Sequence, residues 1–300
     1  LIPGVSPIGD ESRSAMESLI EDYEHVLSRF RNDSLIAAIG KAEHGGSFDF
    51  PDWCAPLFDL YDALFSATSG AIDPCVGEDL IRLGYDASLS FTVTQDAPEH
   101  LGALRGRAVW GRDVTRHGTT LVTHEPVQLD FGACGKGYLV DLLGRMLQSS
   151  QFVIDAGGDL LIHAEQPISV ALEDPEDQSH AIGIAHIANG ALCASAPSRR
   201  HWNVAVNERT QIAIHHLLNA IDGLPAQQTE ASWAYIPANA TLNLARDYPT
   251  AVADGLATAL FVSDVAQLQR TFDFTYATLD ESRQIAVSRN FPAELFLRSA

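Results

Sequence analysis

The chain has 300 residues, of which 46% are hydrophobic and 19% charged, and its 19 basic against 39 acidic side chains give a net charge of −20. The apolar share is typical of a chain that buries a core, and it excludes wholesale disorder. The acidic excess argues against nucleic-acid binding, because phosphate contacts need clustered Lys and Arg, and against docking on an anionic membrane surface. The length allows one large domain or two closely fused ones, and no linker or repeat marks a boundary.

Four cysteines lie far apart, and none belongs to a CxxC pair, so we expect buried thiols rather than a zinc ribbon or a disulfide scaffold. No apolar run reaches the ~18 residues of a membrane-spanning helix, so we expect no direct membrane insertion of this chain. The absence of a signal-peptide pattern favours a cytoplasmic location. The start at Leu1 keeps open an extracytoplasmic, anchored form from which a leader has been removed.

In chain order, the first predicted element is a helix over residues 10–30, where apolar residues recur at three- and four-residue steps and Asp10 is placed to cap the N-terminus. The same period predicts helices at 56–68, at about 136–148 and at 251–262. Strands are predicted at 120–129, 152–154, 168–172, 181–187 and 211–214, and residues 272–287 are typical of a β-hairpin. Helices interleaved with antiparallel-looking strands indicate an α+β or mixed-sheet fold.

The glycine-rich segment LDFGACGKGY, which begins at Leu129, leads from a strand end into a helix. Its glycines allow close backbone approach to a ligand, and the N-terminus of the next helix offers unpaired N–H groups to an anion. Lys136, one of only two lysines in the chain, adds a full positive charge there. The pattern is not a P-loop, and its spacing alone favours an anion site and a plain turn equally.

Two further segments carry carboxylates. In IDAGGD, which begins at Ile154, paired glycines interrupt a strand, and a bulge or turn is the simpler interpretation. In ADGLAT, which begins at Ala253, Asp254 and Thr258 stand four apart on one helix face. Hard oxygen ligands of this kind suit Mg²⁺. Spacing alone favours the alternative, in which Asp254 is an ordinary Asp near a helix start and the Thr258 hydroxyl bonds back to its own helix.

Two loops complete the candidates. In SGAIDPCVG, which begins at Ser69, Asp73 is placed to cap the following helix. In HLLNAIDGLP, His216 ends a strand, and a histidine of ordinary pKa can act as a general base although a lone strand histidine is more often structural. HExxH, GxSxG and GxGxxG motifs are absent from the sequence, which leaves zincin, α/β-hydrolase and Rossmann interpretations without support.

The order of these segments resembles the FAD:protein FMN transferase family, the ApbE-type flavin transferases. The glycine-rich segment is similar to the family's DLGGIAKGYAVD, and the resemblance continues in SRFRNDSLIAAIG (S-x-Y/F-x-x-D-S-E-L-S-x-L-N), SGAIDPCVG (SGAFDPTVG), VIDAGGDLLIHA (NAGGDIRxxG), ISVALEDP (WxVGIxDP), HLLNAIDGLP (HIIDPRTGRP) and ADGLATALFV (ADALATALFV). Together these segments cover residues 28 to 262, which is most of the chain.

The resemblance implies one ApbE-like domain over residues 1–300, of class α+β, with a T-fold-like β–α core and mixed, mostly antiparallel sheets flanked by helices. It implies Mg²⁺ held by the Asp254 carboxylate, the Thr258 hydroxyl and the Ala133 carbonyl. It further implies that FAD, as substrate, contacts seven residues: Phe30, Ala71, Ile72, Asp73, Asp130, Lys136 and Leu218. For Phe30, packing of its own helix against the core is the competing explanation.

The implied reaction is attack by a threonine hydroxyl of a target flavoprotein on the FMN-side phosphorus of FAD, which releases AMP and leaves FMN as a phosphothreonyl ester. His216 is the candidate for taking the hydroxyl proton, and Asp254 carries the metal that the reaction needs. The alternatives are a FAD pyrophosphatase, in which water replaces threonine and yields FMN and AMP, and a catalytically weakened FAD-binding homologue.

Three departures from the family pattern bear on these roles. The segment LIPGVSPIG stands where the family has an MGT strand, and residues 194–200 replace its TSG-x-x-RR. In HLLNAIDGLP, Asn219 and Ala220 stand where the family has Asp-Pro, which removes one carboxylate. The proposed metal ligands Asp254 and Thr258 are retained.

Overall fold

The computed structural model describes residues 8–207 and 210–296, and most of the segment that replaces the MGT strand lies outside this range. Within it, helices and antiparallel strands alternate as the α+β prediction requires. The α-helices are α1 Asp10–Leu27, α2 Leu35–Lys41, α3 Ala55–Ala67, α4 Gly77–Arg82, α5 Ala97–His100, α6 Gly135–Met146, α7 Asn243–Asp247, α8 Pro249–Ala259 and α9 Val265–Leu268. The strands are β1 Gly46–Asp49, β2 Val114–His117, β3 Thr120–Thr123, β4 Phe152–Asp155, β5 Asp159–Glu173, β6 Ala181–Ser195, β7 His201–Asn207, β8 Thr210–His215, β9 Leu218–Asn219, β10 Leu224–Pro225, β11 Thr229–Pro237, β12 Thr275–Asp280, β13 Ile285–Val287 and β14 Ala293–Leu295.

The chain divides into two compact units. The first, here called the sheet unit, comprises Leu1–Ile20, Ala133–Ser198 and Gln227–Ala300 as far as these are described. The second, the loop-rich unit, comprises Glu21–Gly132 and Arg199–Ala226, again as far as described. The expectation of one domain over residues 1–300 stays a prediction.

The sheet unit contains an antiparallel sheet with the strand order β13-β12-β11-β6-β5-β4, and β14 also pairs with β6. Its core is formed by inward-facing apolar side chains such as Ile162, Leu172, Leu192, Trp233 and Leu279, all at most 5% exposed. Burying each such side chain contributes roughly 1.5–3 kcal/mol to stability. The sheet therefore provides a rigid support for the turns at its strand ends.

All residues of helix α8 from Thr250 to Ala257 are buried. Four of the eleven residues in its sequence PTAVADGLATA are Ala and one is Gly, and these small residues let other backbones come close. At its N-terminus the carboxylate of Asp141 accepts hydrogen bonds from the backbone N–H groups of Thr250 and Ala251. Because α8 is fixed in this way, its polar side chains have a defined position.

In the loop-rich unit, β1, β3 and β2 form one antiparallel sheet, and β7 with β8 and β9 with β10 form two hairpins. One of its apolar clusters contains Leu80, Leu83, Leu101, Trp202 and Leu218. The loops that carry the motifs run over this core.

Several predicted elements have different bounds in the structure. The first helix ends at Leu27, three residues before Phe30. The strand predicted at 120–129 stops at Thr123 and gives way to a loop that contains Pro126, which lacks a backbone N–H. The strands predicted at 168–172 and 181–187 are parts of the longer β5 and β6. The predicted hairpin at the tail is confirmed as β12 and β13, while the other predicted helices are found within a few residues.

Candidate functional site

The sheet unit brings four of the predicted site residues together at the start of α6. Asp254 on α8 is 3% exposed, and its Oδ2 accepts a 2.9 Å hydrogen bond from the backbone N–H of Gly137. Thr258, one turn further along α8, donates to the carbonyl oxygen of Ala133 at 3.4 Å. The Nζ of Lys136 lies 3.9 Å from Oδ1 of Asp254.

The Thr258 hydroxyl therefore contacts the carbonyl of Ala133, which is not the back-bonded arrangement that spacing alone favoured. A carboxylate, a hydroxyl and a carbonyl are hard oxygen donors of the kind that Mg²⁺ takes. Burial raises the pKa of Asp254, while the Lys136 ammonium and the Gly137 N–H act in the opposite direction. A divalent cation would favour the ionised carboxylate, so the residues present fit a magnesium ion.

Sequence reasoning missed Asp159, the first residue of β5. It is fully buried, and its Oδ2 accepts a short hydrogen bond from Nζ of Lys136. Its Oδ1 is buried without a hydrogen-bond partner among the described residues. The signal was present in the IDAGGD segment, where Gly157 and Gly158 have φ of 72° and 110° and form the turn between β4 and β5. That turn places Asp159 at the head of a buried strand.

The loop-rich unit brings a second set of predicted residues together around an aromatic and cationic cluster. Phe30 is 42% exposed and stands edge-on to Tyr85, with ring centroids 5.4 Å apart. The exposure is incompatible with packing of Phe30 against the core on its own helix, so that explanation is wrong. Asp130 accepts a short hydrogen bond from Nε of Arg29, and Tyr85 stacks on Trp202 at 5.9 Å.

His216 follows β8 and is half-buried. Its Nδ1 lies 3.2 Å from the carbonyl oxygen of Arg200, so this nitrogen carries the proton and donates it to the carbonyl. The arrangement leaves the lone pair on Nε2. Burial lowers the pKa of His216 to about 4, so that the imidazole is neutral at pH 7. A neutral imidazole with a lone pair on Nε2 can accept a proton.

The loop at Ala71, Ile72 and Asp73 is buried, with each residue at most 4% exposed. Asp73 is confirmed as a cap, since its Oδ1 accepts a 2.8 Å hydrogen bond from the N–H of Cys75. Two backbone groups at the start of the loop are also hydrogen-bonded. The carbonyl of Ala71 accepts from the N–H of Ala220, and the N–H of Ile72 donates to the hydroxyl of Thr68. These three residues are therefore part of the buried interior of the loop-rich unit. Their contact with FAD stays a prediction.

A buried ion cluster holds this loop. Arg107 is 2% exposed, and its guanidinium lies 2.8 Å from Asp79 and 3.4 Å from Asp73, both also buried. Burial raises the pKa of Asp79 to about 6 and that of Asp73 in the same direction, with the guanidinium opposing both shifts. Arg107 also donates to the carbonyl of Ala220 at 2.7 Å. No motif in the sequence pointed to Arg107.

The exchange of Asp-Pro for Asn219 and Ala220 is accommodated locally. Oδ1 of Asn219 accepts a 3.0 Å hydrogen bond from the N–H of Ile221, as an aspartate in the same turn could. Ala220 has an N–H, which proline lacks, and it donates this group to Ala71 at 3.0 Å. Leu218, the predicted FAD contact in this segment, is 5% exposed and packs in the apolar cluster of the unit.

Comparison with known proteins agrees with the fold and with the segments described. A sequence model of the ApbE family matches residues 5–278, so the chain belongs to the ApbE family. It is 27% identical over 286 residues to the FAD:protein FMN transferase of Treponema pallidum, covering 84% of this chain and 72% of that protein. It is 23% identical over 262 residues to the FAD:protein FMN transferase of Klebsiella pneumoniae, covering 83% and 70%.

Solved structures share the fold. The ApbE protein of Thermotoga maritima aligns with a TM-score of 0.77 at 20% identity, over 96% of this chain and 94% of that one. The flavin transferase ApbE of Vibrio cholerae aligns with a TM-score of 0.74 at 17% identity, over 97% and 92%. The predicted α+β class with mostly antiparallel sheets is confirmed.

Proposed function

We propose that this chain transfers FMN from FAD to a threonine hydroxyl of a target flavoprotein in a Mg²⁺-dependent reaction that releases AMP. Membership of the ApbE family and relatives named FAD:protein FMN transferase support the reaction class. The metal dependence rests on the cluster of Ala133, Lys136, Asp254 and Thr258, which we call the phosphate-side group. In it a buried carboxylate, a hydroxyl and a carbonyl lie beside a lysine.

The phosphate-side group would hold the ion through Asp254, Thr258 and the carbonyl of Ala133. When bound, Mg²⁺ supplies positive charge that polarises the phosphorus and stabilises the leaving phosphate of AMP. The Lys136 ammonium would contact the FAD phosphates, which carry two negative charges into a protein of net charge −20. Local positive charge is therefore required where the pyrophosphate binds.

In the loop-rich unit, the half-exposed Phe30 would contact the isoalloxazine ring, and Asp130 would contact a polar edge of the flavin. Nε2 of His216 would accept the proton of the attacking threonine hydroxyl. The threonine oxygen then forms a bond to the FMN-side phosphorus, while the bond from that phosphorus to the bridging oxygen breaks and its electron pair leaves with AMP. The products are FMN-phosphothreonine and AMP.

The test is incubation of the full chain with FAD and Mg²⁺, with and without a protein or peptide that offers an acceptor threonine. The expected result is FMN attached to the acceptor together with one AMP for each FMN transferred. Release of FMN and AMP without attachment would identify a FAD pyrophosphatase instead. Tight FAD binding without either product would identify a catalytically weakened FAD-binding homologue.

The location of the protein is a separate proposal. Across residues 8–207 and 210–296, every helix is too short or too polar to cross a membrane. A cytoplasmic location and an anchored form outside the cytoplasm both stay predictions, and the compartment of the acceptor protein would distinguish them.

A further inference from the structure

Arg29 is a buried cation that neither the motifs nor the proposed reaction uses. It lies two residues after the end of α1, and its side chain is only 7% exposed. A charged group taken out of water needs compensating partners. Its Nε donates to Oδ2 of Asp130, and its Nη1 donates to the carbonyl oxygen of Tyr85 at 2.6 Å. Arg29 therefore joins three segments that are far apart in sequence.

The same guanidinium lies against two aromatic rings. Its central carbon is 4.2 Å from the ring centroid of Phe30 and 4.6 Å from that of Tyr85. Both distances are within the range of cation–π attraction. Phe30 is 42% exposed and lies outside any helix, and its ring is oriented by this contact together with the edge-on contact with Tyr85. Arg29 thus orders an aromatic surface that faces solvent.

Asp130 is held on its other side by backbone groups. Its Oδ1 accepts a 2.6 Å hydrogen bond from the N–H of Gly132, and its own N–H donates to the carbonyl of Pro74 at 2.7 Å. Arg29 occupies the remaining carboxylate oxygen, Oδ2. The orientation of the carboxylate is therefore set by the backbone at one oxygen and by a single side chain at the other.

One group of Arg29 is left without a protein partner. Its Nη2 is buried and has no hydrogen-bond partner among the described residues. An unpaired buried donor is costly, and such groups need an explanation other than stability.

We propose that Arg29 is a positioning residue for the flavin-ring end of FAD, holding the Asp130 carboxylate and the Phe30 ring in the geometry that binds the isoalloxazine. The inference rests on the proposed function, since it takes FAD as the ligand. It assigns to Arg29 no contact with the phosphates, which separates its role from that of Lys136.

The test compares binding of FAD and riboflavin to the full chain in the presence of Mg²⁺, measured by quenching of flavin fluorescence. Arg29→Met should raise the Kd of both ligands by the same factor, about tenfold, as expected when a charge-assisted hydrogen bond behind a ligand-contacting group is lost. Arg29→Lys should give Kd values between those of the wild type and those of Arg29→Met, because one ammonium cannot replace the forked guanidinium that reaches Asp130 and Tyr85 together. The matched control is Arg31→Met, since the side chain of Arg31 pairs, among the residues that the structure describes, with exposed Asp33, Glu21 and His25. This control should leave both Kd values unchanged.

A double-mutant cycle separates positioning from general stability. Asp130→Asn should weaken the binding of both ligands. The double variant, Arg29→Met with Asp130→Asn, should bind no more weakly than whichever single variant binds more weakly. Thermal unfolding identifies variants that have lost the fold. If Arg29→Met does not fold, Arg29→Lys replaces it in the same cycle, with the same expectation of non-additivity.

Unchanged affinity of the folded Arg29 variants, additive losses in the cycle, or a loss for FAD without a loss for riboflavin would each overturn the role of Arg29. In all three cases the wild-type chain still binds and turns over FAD, so the proposed function stands. If the wild-type chain binds neither FAD nor riboflavin with Mg²⁺ present, the proposed function fails and the role of Arg29 with it.

Discussion

The backbone N–H of Gly137 donates a 2.9 Å hydrogen bond to Oδ2 of Asp254, which joins the first turn of α6 to the buried carboxylate of α8. A Cβ at position 137 would lie 2.4 Å from the carbonyl oxygen of Thr250 and 2.8 Å from Cβ of Asp254. Nonbonded atoms do not approach so closely, and a backbone oxygen in a buried helix cannot move aside. Glycine at this position is therefore a condition for the two helices to meet.

Gly137→Ala should consequently lower the free energy of unfolding by about 1–3 kcal/mol through overpacking, and it should weaken Mg²⁺-dependent turnover. Urea unfolding and AMP release measure the two effects. Gly144→Ala is the matched control in the same helix, because its Cβ would mainly meet the end of the Leu161 side chain, which can move. Equal effects of the two variants would contradict the close-packing argument.

Asp254→Ala should abolish metal-dependent turnover, with a loss of at least about a hundredfold, because it removes the one anionic ligand of the proposed magnesium set and several kcal/mol of charge stabilisation. The measurement is AMP release from FAD over a range of Mg²⁺ concentrations. Asp247→Ala, in an exposed ion pair with Arg246, should retain wild-type turnover. Normal Mg²⁺ dependence in Asp254→Ala would show that the metal assignment is wrong.

Lys136→Ala should weaken the binding of FAD by more than it weakens the binding of riboflavin, because only FAD carries the phosphates that the ammonium is proposed to contact. Parallel titrations with the two ligands measure the difference. The chain supplies its own control, since Lys41 is its only other lysine and donates to the backbone of Asn32 on the surface. Lys41→Ala should leave both affinities unchanged, and an equal loss for both ligands in Lys136→Ala would refute the phosphate contact.

The pH dependence of turnover should reflect the lowered pKa of His216. A general base must be unprotonated, so kcat/KM should fall only as the pH approaches about 4 and should stay level between about pH 5.5 and 7.5. A fall centred near 6.5, the ordinary value of histidine, would contradict the buried environment described for the ring. His216→Gln should lose most of its turnover while it retains binding of FAD.

The same group also affects stability. The folded-state pKa of His216 lies below the unfolded value, so the unfolded chain binds more protons between about pH 6.5 and 4. The contribution of neutral His216 is present above pH 6.5 and is lost as the pH falls toward 4. In His216→Gln the free energy of unfolding should therefore decline less over this interval, which urea titrations at several pH values can measure.

Arg107→Met should lower the free energy of unfolding by about 3–5 kcal/mol, because it leaves the buried carboxylates of Asp73 and Asp79 without their cation. Urea unfolding measures the loss at pH 7.5, which lies above the pKa of about 6 that Asp79 has beside Arg107. Arg112→Met removes an exposed arginine paired with Asp113, and it should change stability by less than about 1 kcal/mol. Similar losses of stability in the two variants would contradict the argument that burial of its ion pairs is what makes Arg107 important for stability.

The four longest helices, α1, α3, α6 and α8, were predictable because their apolar residues repeat with the helical period, and burial enforces that period. The helices of seven residues or fewer were not predicted, because they are too short to show a repeat. Only a segment of β5 was found from sequence. Glu165, Gln166 and Pro167 in its middle are all exposed, which interrupts the alternation typical of a strand, and its pairing with β6 shifts register between His163 and Ile168. The predicted turn at Gly157 and Gly158 is present, with both residues at positive φ.

The site was predictable where residues lie within one motif and not where contacts join distant segments. Asp254 and Thr258 stand on one helix turn, so their shared face followed from spacing. The pair of Arg29 with Asp130 spans 101 positions, and the contact of Arg107 with Asp73 spans 34, so neither leaves a local pattern. Asp159 is intermediate, since its motif was visible while its contact with Lys136 was not.

All four cysteines are buried, as expected, and they are shared evenly between the two units. Cys54 and Cys75 lie in the loop-rich unit, and Cys134 and Cys193 lie in the sheet unit. Burial raises the pKa of Cys54, Cys75 and Cys193, so these thiols are unreactive while the surrounding structure is closed. Modification by a thiol reagent, followed by mass spectrometry of the labelled peptides, would therefore time the opening of each unit separately, without any engineered probe.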